Sequence, residues 1–170
     1  MDEIGLMANY AEPESGYLRF TNIGGLIPNT LHGNRVLFED GTVGVIGVHS
    51  GGGKTLEDFY IDVQHEGVDN ATPVGQPAGF MREMQVRGKR IVAKSLDDRI
   101  GCVVAIVAMR KLNKQAPNEV YFAFTVQEEV GLRGAKTAAQ GISPDVGIAL
   151  DITGTGDQIR GRKMMVKLGE

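Results

Sequence analysis

The chain has 170 residues, 42% of them hydrophobic and 23% charged, enough to bury a core in one domain or two small ones. Its formal net charge of −3 gives no electrostatic footing for nucleic acid or an anionic membrane, and no apolar run approaches a membrane span. The single cysteine, Cys102, cannot close an internal disulfide and the first residues carry no signal-peptide pattern, so a soluble cytoplasmic protein is expected.

The first half reads as strands and turns. Residues 4–10 form a strand that leads into a turn at Glu12-Pro13-Glu14-Ser15-Gly16. Tyr17-Leu18-Arg19-Phe20-Thr21 alternates as a half-buried strand does, and Asn22-Ile23-Gly24-Gly25 ends it. Residues 35–38 and 42–48 read as a hairpin around Asp40-Gly41, a strong turn signal. Further strands are expected at 58–63 and 79–85, followed by a turn at Arg87-Gly88-Lys89-Arg90 and a strand to Ala93. Such a run implies a small all-β barrel or sandwich over residues 7–92.

The character changes near Lys94. Ile100, Val103, Val104, Val107 and Ala108 recur at helical spacing, which predicts an amphipathic helix to about Lys114 with Asp97 or Asp98 at its N-cap. Residues 119–127 are apolar on both faces, the pattern of a buried strand in a covered sheet. A short helix over 132–140 follows, which Gly141 is placed to terminate, and residues 145–151 form a second apolar strand. Strand, helix and strand in alternation predict an α/β unit with parallel pairing. Cys102 falls among apolar residues and reads as core.

Acids stand at three comparable points of this second half. Asp97 and Asp98 open a helix, Glu128 and Glu129 follow one strand, and Asp151 ends the next. Strand ends of a parallel sheet converge on one rim, where ligands bind, so these carboxylates are candidates to meet there. Oxygen-rich clusters suit divalent cations, and desolvating several acids needs such a reason. Each acid also has a plainer explanation. Asp97 or Asp98 caps the helix, Glu129 is solvated, or Asp151 accepts turn amides. Other signals are weaker. Ser50-Gly51-Gly52-Gly53-Lys54-Thr55 has Val48 where a phosphate loop needs its first glycine, and a glycine-rich turn is the better reading. His32, His49 and His65 lack ligand spacing and read as surface or loop residues.

Four motifs occur in order: Met1-Asp2-Glu3-Ile4-Gly5, Ser95-Leu96-Asp97-Asp98-Arg99-Ile100-Gly101, Phe124-Thr125-Val126-Gln127-Glu128-Glu129-Val130-Gly131, and Ala149-Leu150-Asp151-Ile152-Thr153. With Phe20-Thr21-Asn22-Ile23-Gly24-Gly25 and Tyr60-Ile61-Asp62-Val63, they resemble the glutamyl/tetrahedral aminopeptidases. These dinuclear metallopeptidases include some proteins labelled endoglucanase. The resemblance implies an α/β fold, a partial peptidase sheet with helices, interrupted by an all-β barrel-like domain. Residues 1–6 would begin the catalytic domain, 7–92 form a barrel dimerisation insert, and 93–170 continue the catalytic domain. It further implies two divalent metal ions, zinc or cobalt. Asp97 would bridge them, with Glu129 and Asp151 each binding one, Glu128 acting as general base, and Asp98 supporting Asp97. Asp2 would orient a metal-binding histidine from behind. The implied partners are a peptide substrate and further copies of the chain, as a dimer or larger assembly through residues 7–92.

Both histidine ligands of that family fall outside these residues, one just before Met1 and one well past Glu170. The chain is therefore expected to be an internal fragment, with weak or absent metal, or a hard cation such as Mg²⁺ at one position, and no measurable peptidase activity by itself. Two other functions stay open. One is a non-catalytic self-association fragment; the other is a glycoside hydrolase with paired carboxylates.

Overall fold

A computed structural model describes residues 3–63, 74–112, 116–154 and 159. The fold is mixed α/β: a closed six-stranded barrel, then a small hairpin and two helices. The barrel strands are β1 (Gly5–Ala11), β2 (Leu18–Ile23), β3 (Arg35–Phe38), β4 (Val43–Val48), β5 (Phe59–Asp62) and β6 (Pro77–Phe80). They follow one another around the barrel as β1-β2-β5-β4-β3-β6, and β6 returns to β1 through the pair Gly5 and Gly79. Every pairing is antiparallel, and closure leaves no strand edge open for pairing with another chain.

Alternation in sequence becomes alternation in burial. Val36 and Phe38 of β3, Phe59 and Ile61 of β5, and Leu18 and Phe20 of β2 point inward. They meet Leu6, Ala8, Leu31, Ile46 and Ala78 in a single apolar core. The expected hairpin forms with Leu37 opposite Val43. Its turn is closed by the Gly41 amide donating to the Phe38 carbonyl at 3.0 Å. Outside the core, Tyr17 and Tyr60 stack with ring centres 4.4 Å apart.

The strand expected over 79–85 is divided between two structures. Its start belongs to β6 in the barrel, whereas Gln85 opens a separate hairpin of β7 (Gln85–Arg87) and β8 (Arg90–Val92). The expected turn around Gly88 and the strand after it form, and they draw Gln85–Arg87 away from β6 into a local pairing with Arg90–Val92.

The helices are α1 (Leu96–Lys111) and α2 (Arg133–Ile142). Gly141 does not end α2. The stop comes at Ser143, in a left-handed conformation with its amide on the Ala139 carbonyl at 2.8 Å, and Pro144 cannot continue the helix. Cys102 is half-buried rather than core; its neighbour Gly101 is the buried residue of α1.

Residues 119–127 and 145–151 do not join a sheet among the described residues. The expected buried strand is instead uncovered, with Tyr121 58% and Val126 51% exposed, and Ile148 in the second run is 84% exposed. The α1 stripe of Ile100, Val103, Val104 and Val107 is likewise exposed. The physical reason is common to all of them. Period and composition specify an apolar face, but its burial needs a second layer, and none covers these faces among the described residues. No helix there is long and apolar enough to cross a membrane.

Candidate metal centre

Asp97 and Asp98 belong to the first turn of α1 only formally, because both hold non-helical backbone angles. The Asp98 carboxylate turns back as a cap, its Oδ1 accepting the Gly101 amide at 2.9 Å. Capping therefore explains Asp98 and leaves Asp97 without that explanation. Asp151, at the end of the second apolar run, accepts the Ile152 amide at 2.7 Å.

Asp97, Asp98 and Asp151 come together, each offering an oxygen within 4.8 Å of the others. The electrostatic consequence falls on Asp97. Burial first, then the charges of Asp151 and Asp98, raise its carboxyl above the ordinary value of 3.8. An acid cluster in that condition gains from a cation.

The Glu128–Glu129 pair sits in a tight loop. Gly131 and Leu132 donate their amides to the Glu128 carbonyl at 2.9 and 3.0 Å, and Gly134 donates to the Val126 carbonyl at 3.0 Å. A side chain at Gly134 would collide with that carbonyl at 2.3 Å, so the close backbone approach requires glycine. Gln127 and Leu132 both adopt left-handed backbone angles, which non-glycine residues hold at a cost wherever surrounding structure imposes them. Glu129 lines a cavity of about 280 Å³ together with Asp97 and Lys94, and with Leu26, Phe80 and Arg82 from the barrel. Glu128 is exposed and outside the aspartate cluster. Asp2 lies outside the described residues.

Two features at this site have no sequence signal. Lys94 bonds to Glu3, and Arg99 reaches the other oxygen of Glu3 at 3.5 Å. These ion pairs tie Glu3, two positions before β1, to the start of α1 and the residues just before it. A side chain at Gly24, just after β2, would meet Glu129. Only non-local folding brings either pair together.

The phosphate-loop alternative is excluded by geometry. The amides of Gly53, Lys54 and Thr55 all donate to Asp58 Oδ2, at 2.9, 2.7 and 2.9 Å. This carboxylate occupies the place a phosphate would take. The Thr55, Lys54 and Gly53 amides, in that order, hold its carboxyl far below the ordinary range, and His49 adds to the effect. His32 and His49 are exposed, as expected; His65 lies outside the described residues.

The sequence profile of the M42 glutamyl aminopeptidases matches residues 1–170. An aminopeptidase-like protein of Acetivibrio thermocellus is 42% identical over 180 residues, which cover 99% of this chain and 53% of that protein. Among solved structures, an aminopeptidase from the archaeon Desulfurococcus kamchatkensis superposes with a TM-score of 0.75 at 41% identity, over 89% of this chain and 45% of the other. The TET1 peptidase of Pyrococcus horikoshii, whose structure is described as able to assemble into a tetrahedron or a large octahedral shell, has a TM-score of 0.68 at 35% identity. It matches over 82% of this chain and 47% of its own. The chain thus spans about half the length of the relatives it matches. With the profile matched from end to end, this chain belongs to the M42 glutamyl aminopeptidase family.

Proposed function

We propose that the chain contributes the acidic face of a dinuclear metal site in an aminopeptidase that removes N-terminal residues from peptides. The observation that carries this is the convergence of Asp97 and Asp151 within 4.8 Å, in a chain of aminopeptidase lineage. The donor set fits a divalent cation: it is all carboxylate, it is compact, and burial followed by repulsion from Asp151 and Asp98 raises the carboxyl of Asp97. Asp97 would be shared between two ions, zinc or cobalt, with Glu129 and Asp151 each holding one. Such ions, when bound, acidify water and polarise a carbonyl.

The remaining chemistry belongs to side chains. Glu128 would accept a proton from the attacking water and return it to the leaving amine. Asp98, fixed by the Gly101 amide, would hold the turn that presents Asp97. Asp2 would orient an imidazole ligand. The cavity between Asp97, Glu129 and the barrel has the size for a short peptide terminus or one side chain.

We infer three parts close to the expected bounds of 1–6, 7–92 and 93–170: the residues before β1 and residues 93–170 as catalytic α/β, and the barrel from Gly5 with the hairpin to residue 92 as the segment through which copies associate. A barrel that carries none of the acids is better explained by assembly than by chemistry, and TET1 of Pyrococcus horikoshii forms shells. The glycosidase alternative needs two carboxyl groups about 5–5.5 or 6.5–9.5 Å apart across a sugar. Three acids within 4.8 Å favour a cation.

Hydrolysis of an aminoacyl p-nitroanilide by the protein carrying these residues tests the reading. Loss of turnover with chelator and recovery with Zn²⁺ or Co²⁺ are expected. Chelator-indifferent cleavage of a glucan, without aminopeptidase activity, would overturn it.

A further inference from the structure

We propose that Gly24, in the barrel, is a positioning residue for Glu129. The inference rests on the reading of Glu129 as a metal ligand and extends it to a residue that touches no metal. Gly24 lies one position beyond β2, at φ +78. Its carbonyl accepts a hydrogen bond from the Asn22 side chain at 2.6 Å, which fixes the turn. A Cβ placed there would lie 3.0 Å from Ile4 Cγ1, 3.3 Å from Glu129 Cβ and 3.5 Å from Glu129 Oε2. Carbon atoms pack best at about 3.5–4.0 Å, so a side chain at Gly24 would press on Ile4 and would force the stem of Glu129 to give by a few tenths of an ångström.

Gly33 separates this demand from backbone geometry. It has nearly the same angle, φ +79, yet a Cβ there would meet nothing within 4 Å. Gly33 needs glycine for its backbone alone, whereas Gly24 needs it for the backbone and for Glu129. Ile4 and Gly25 on the barrel side line the same cavity as Asp97 and Glu129. The end of β2 therefore acts as a wall against which the Glu129 carboxylate is set in direction relative to Asp97. A small displacement of a ligand weakens a metal site through its geometry, as loss of a supporting contact does.

The test compares Gly24→Ala, Gly33→Ala and Glu129→Gln in the protein carrying these residues. Zn²⁺ affinity is read by calorimetry, Co²⁺ coordination by visible absorption, and folding by thermal melting. Gly24→Ala is expected to weaken Zn²⁺ binding by about 10–100-fold and to change the Co²⁺ bands. Gly33→Ala should lower the melting temperature while leaving affinity and bands unchanged. Full affinity and an unaltered Co²⁺ spectrum in Gly24→Ala, or an equal loss in Gly33→Ala, would overturn the proposal while a weakened Glu129→Gln keeps the reading of Glu129 intact. Wild-type binding in Glu129→Gln would overturn both. If Gly24→Ala does not fold, the pair Ile4→Ala and Ile4→Ala/Gly24→Ala gives the same comparison with the tightest contact removed.

Discussion

Asp97 and Asp151 approach with carboxylate oxygens within 4.8 Å of each other, although one opens α1 and the other ends a distant apolar run. Like charges held this close raise the free energy of the metal-free fold.

That repulsion has a pH signature. The Asp97 carboxyl is raised above its ordinary value of 3.8 by burial, then by Asp151 and Asp98. A raised folded value means that the stabilising contribution is fully present below the unfolded value. It is lost as pH rises through the folded one. Asp97→Asn should therefore raise the melting temperature of the metal-free chain at pH 7 and confer no such gain at pH values below the ordinary carboxylate range. A gain that persists unchanged in acid would mean that charge is not its source.

Glu128 and Glu129 should separate in function. In the complete protein, Glu128→Gln is expected to keep its metal while turnover falls about 10²–10⁴-fold. Glu129→Gln should lose metal instead. Metal analysis of the two purified variants decides the matter, and equal losses would rule out separate roles.

Stability should divide along the chain. The barrel closes around fully buried side chains such as Phe38, Phe59 and Ile46, whereas Ile100, Val103 and Val107 of α1 are exposed. Hydrogen exchange on the isolated 170 residues should protect β1–β6 most strongly and α1 and α2 less. Slower exchange in α1 than in β4 would contradict this ordering.

The loop around Asp58 offers a control away from the proposed site. Three amides hold its carboxyl far below 3.8. A depressed folded value gives stability present above the unfolded value and lost only as pH falls through the folded one. Asp58→Asn should speed exchange of the Gly53, Lys54 and Thr55 amides at neutral pH without altering Zn²⁺ affinity. A change in affinity would place this loop in the metal site.

The sequence discloses what depends on local pattern. Alternation in Tyr17-Leu18-Arg19-Phe20-Thr21 and the Asp40-Gly41 turn give β2 and the β3–β4 hairpin nearly to the residue, because period and turn chemistry act over a few positions. The three acidic positions were legible as element ends, and two of them, Asp97 and Asp151, meet in space. What could not be read is non-local. The Glu3–Lys94 ion pair and the approach of Gly24 to Glu129 each join segments that only the completed fold brings together. The apolar runs at 119–127 and 145–151 expose the same limit from the other side. Their composition announces burial, but a strand's cover comes from other elements, and α1 leaves them exposed.

The most direct measurement is anomalous diffraction at the zinc edge from crystals grown with Zn²⁺. For the protein carrying these residues together with its histidine ligands, crystallised in this way, the account predicts two peaks about 3.5–4 Å apart, both in contact with Asp97, one also with Glu129 and the other with Asp151. Strong peaks elsewhere, for example at His49 and Asp58, with none at Asp97, would contradict it.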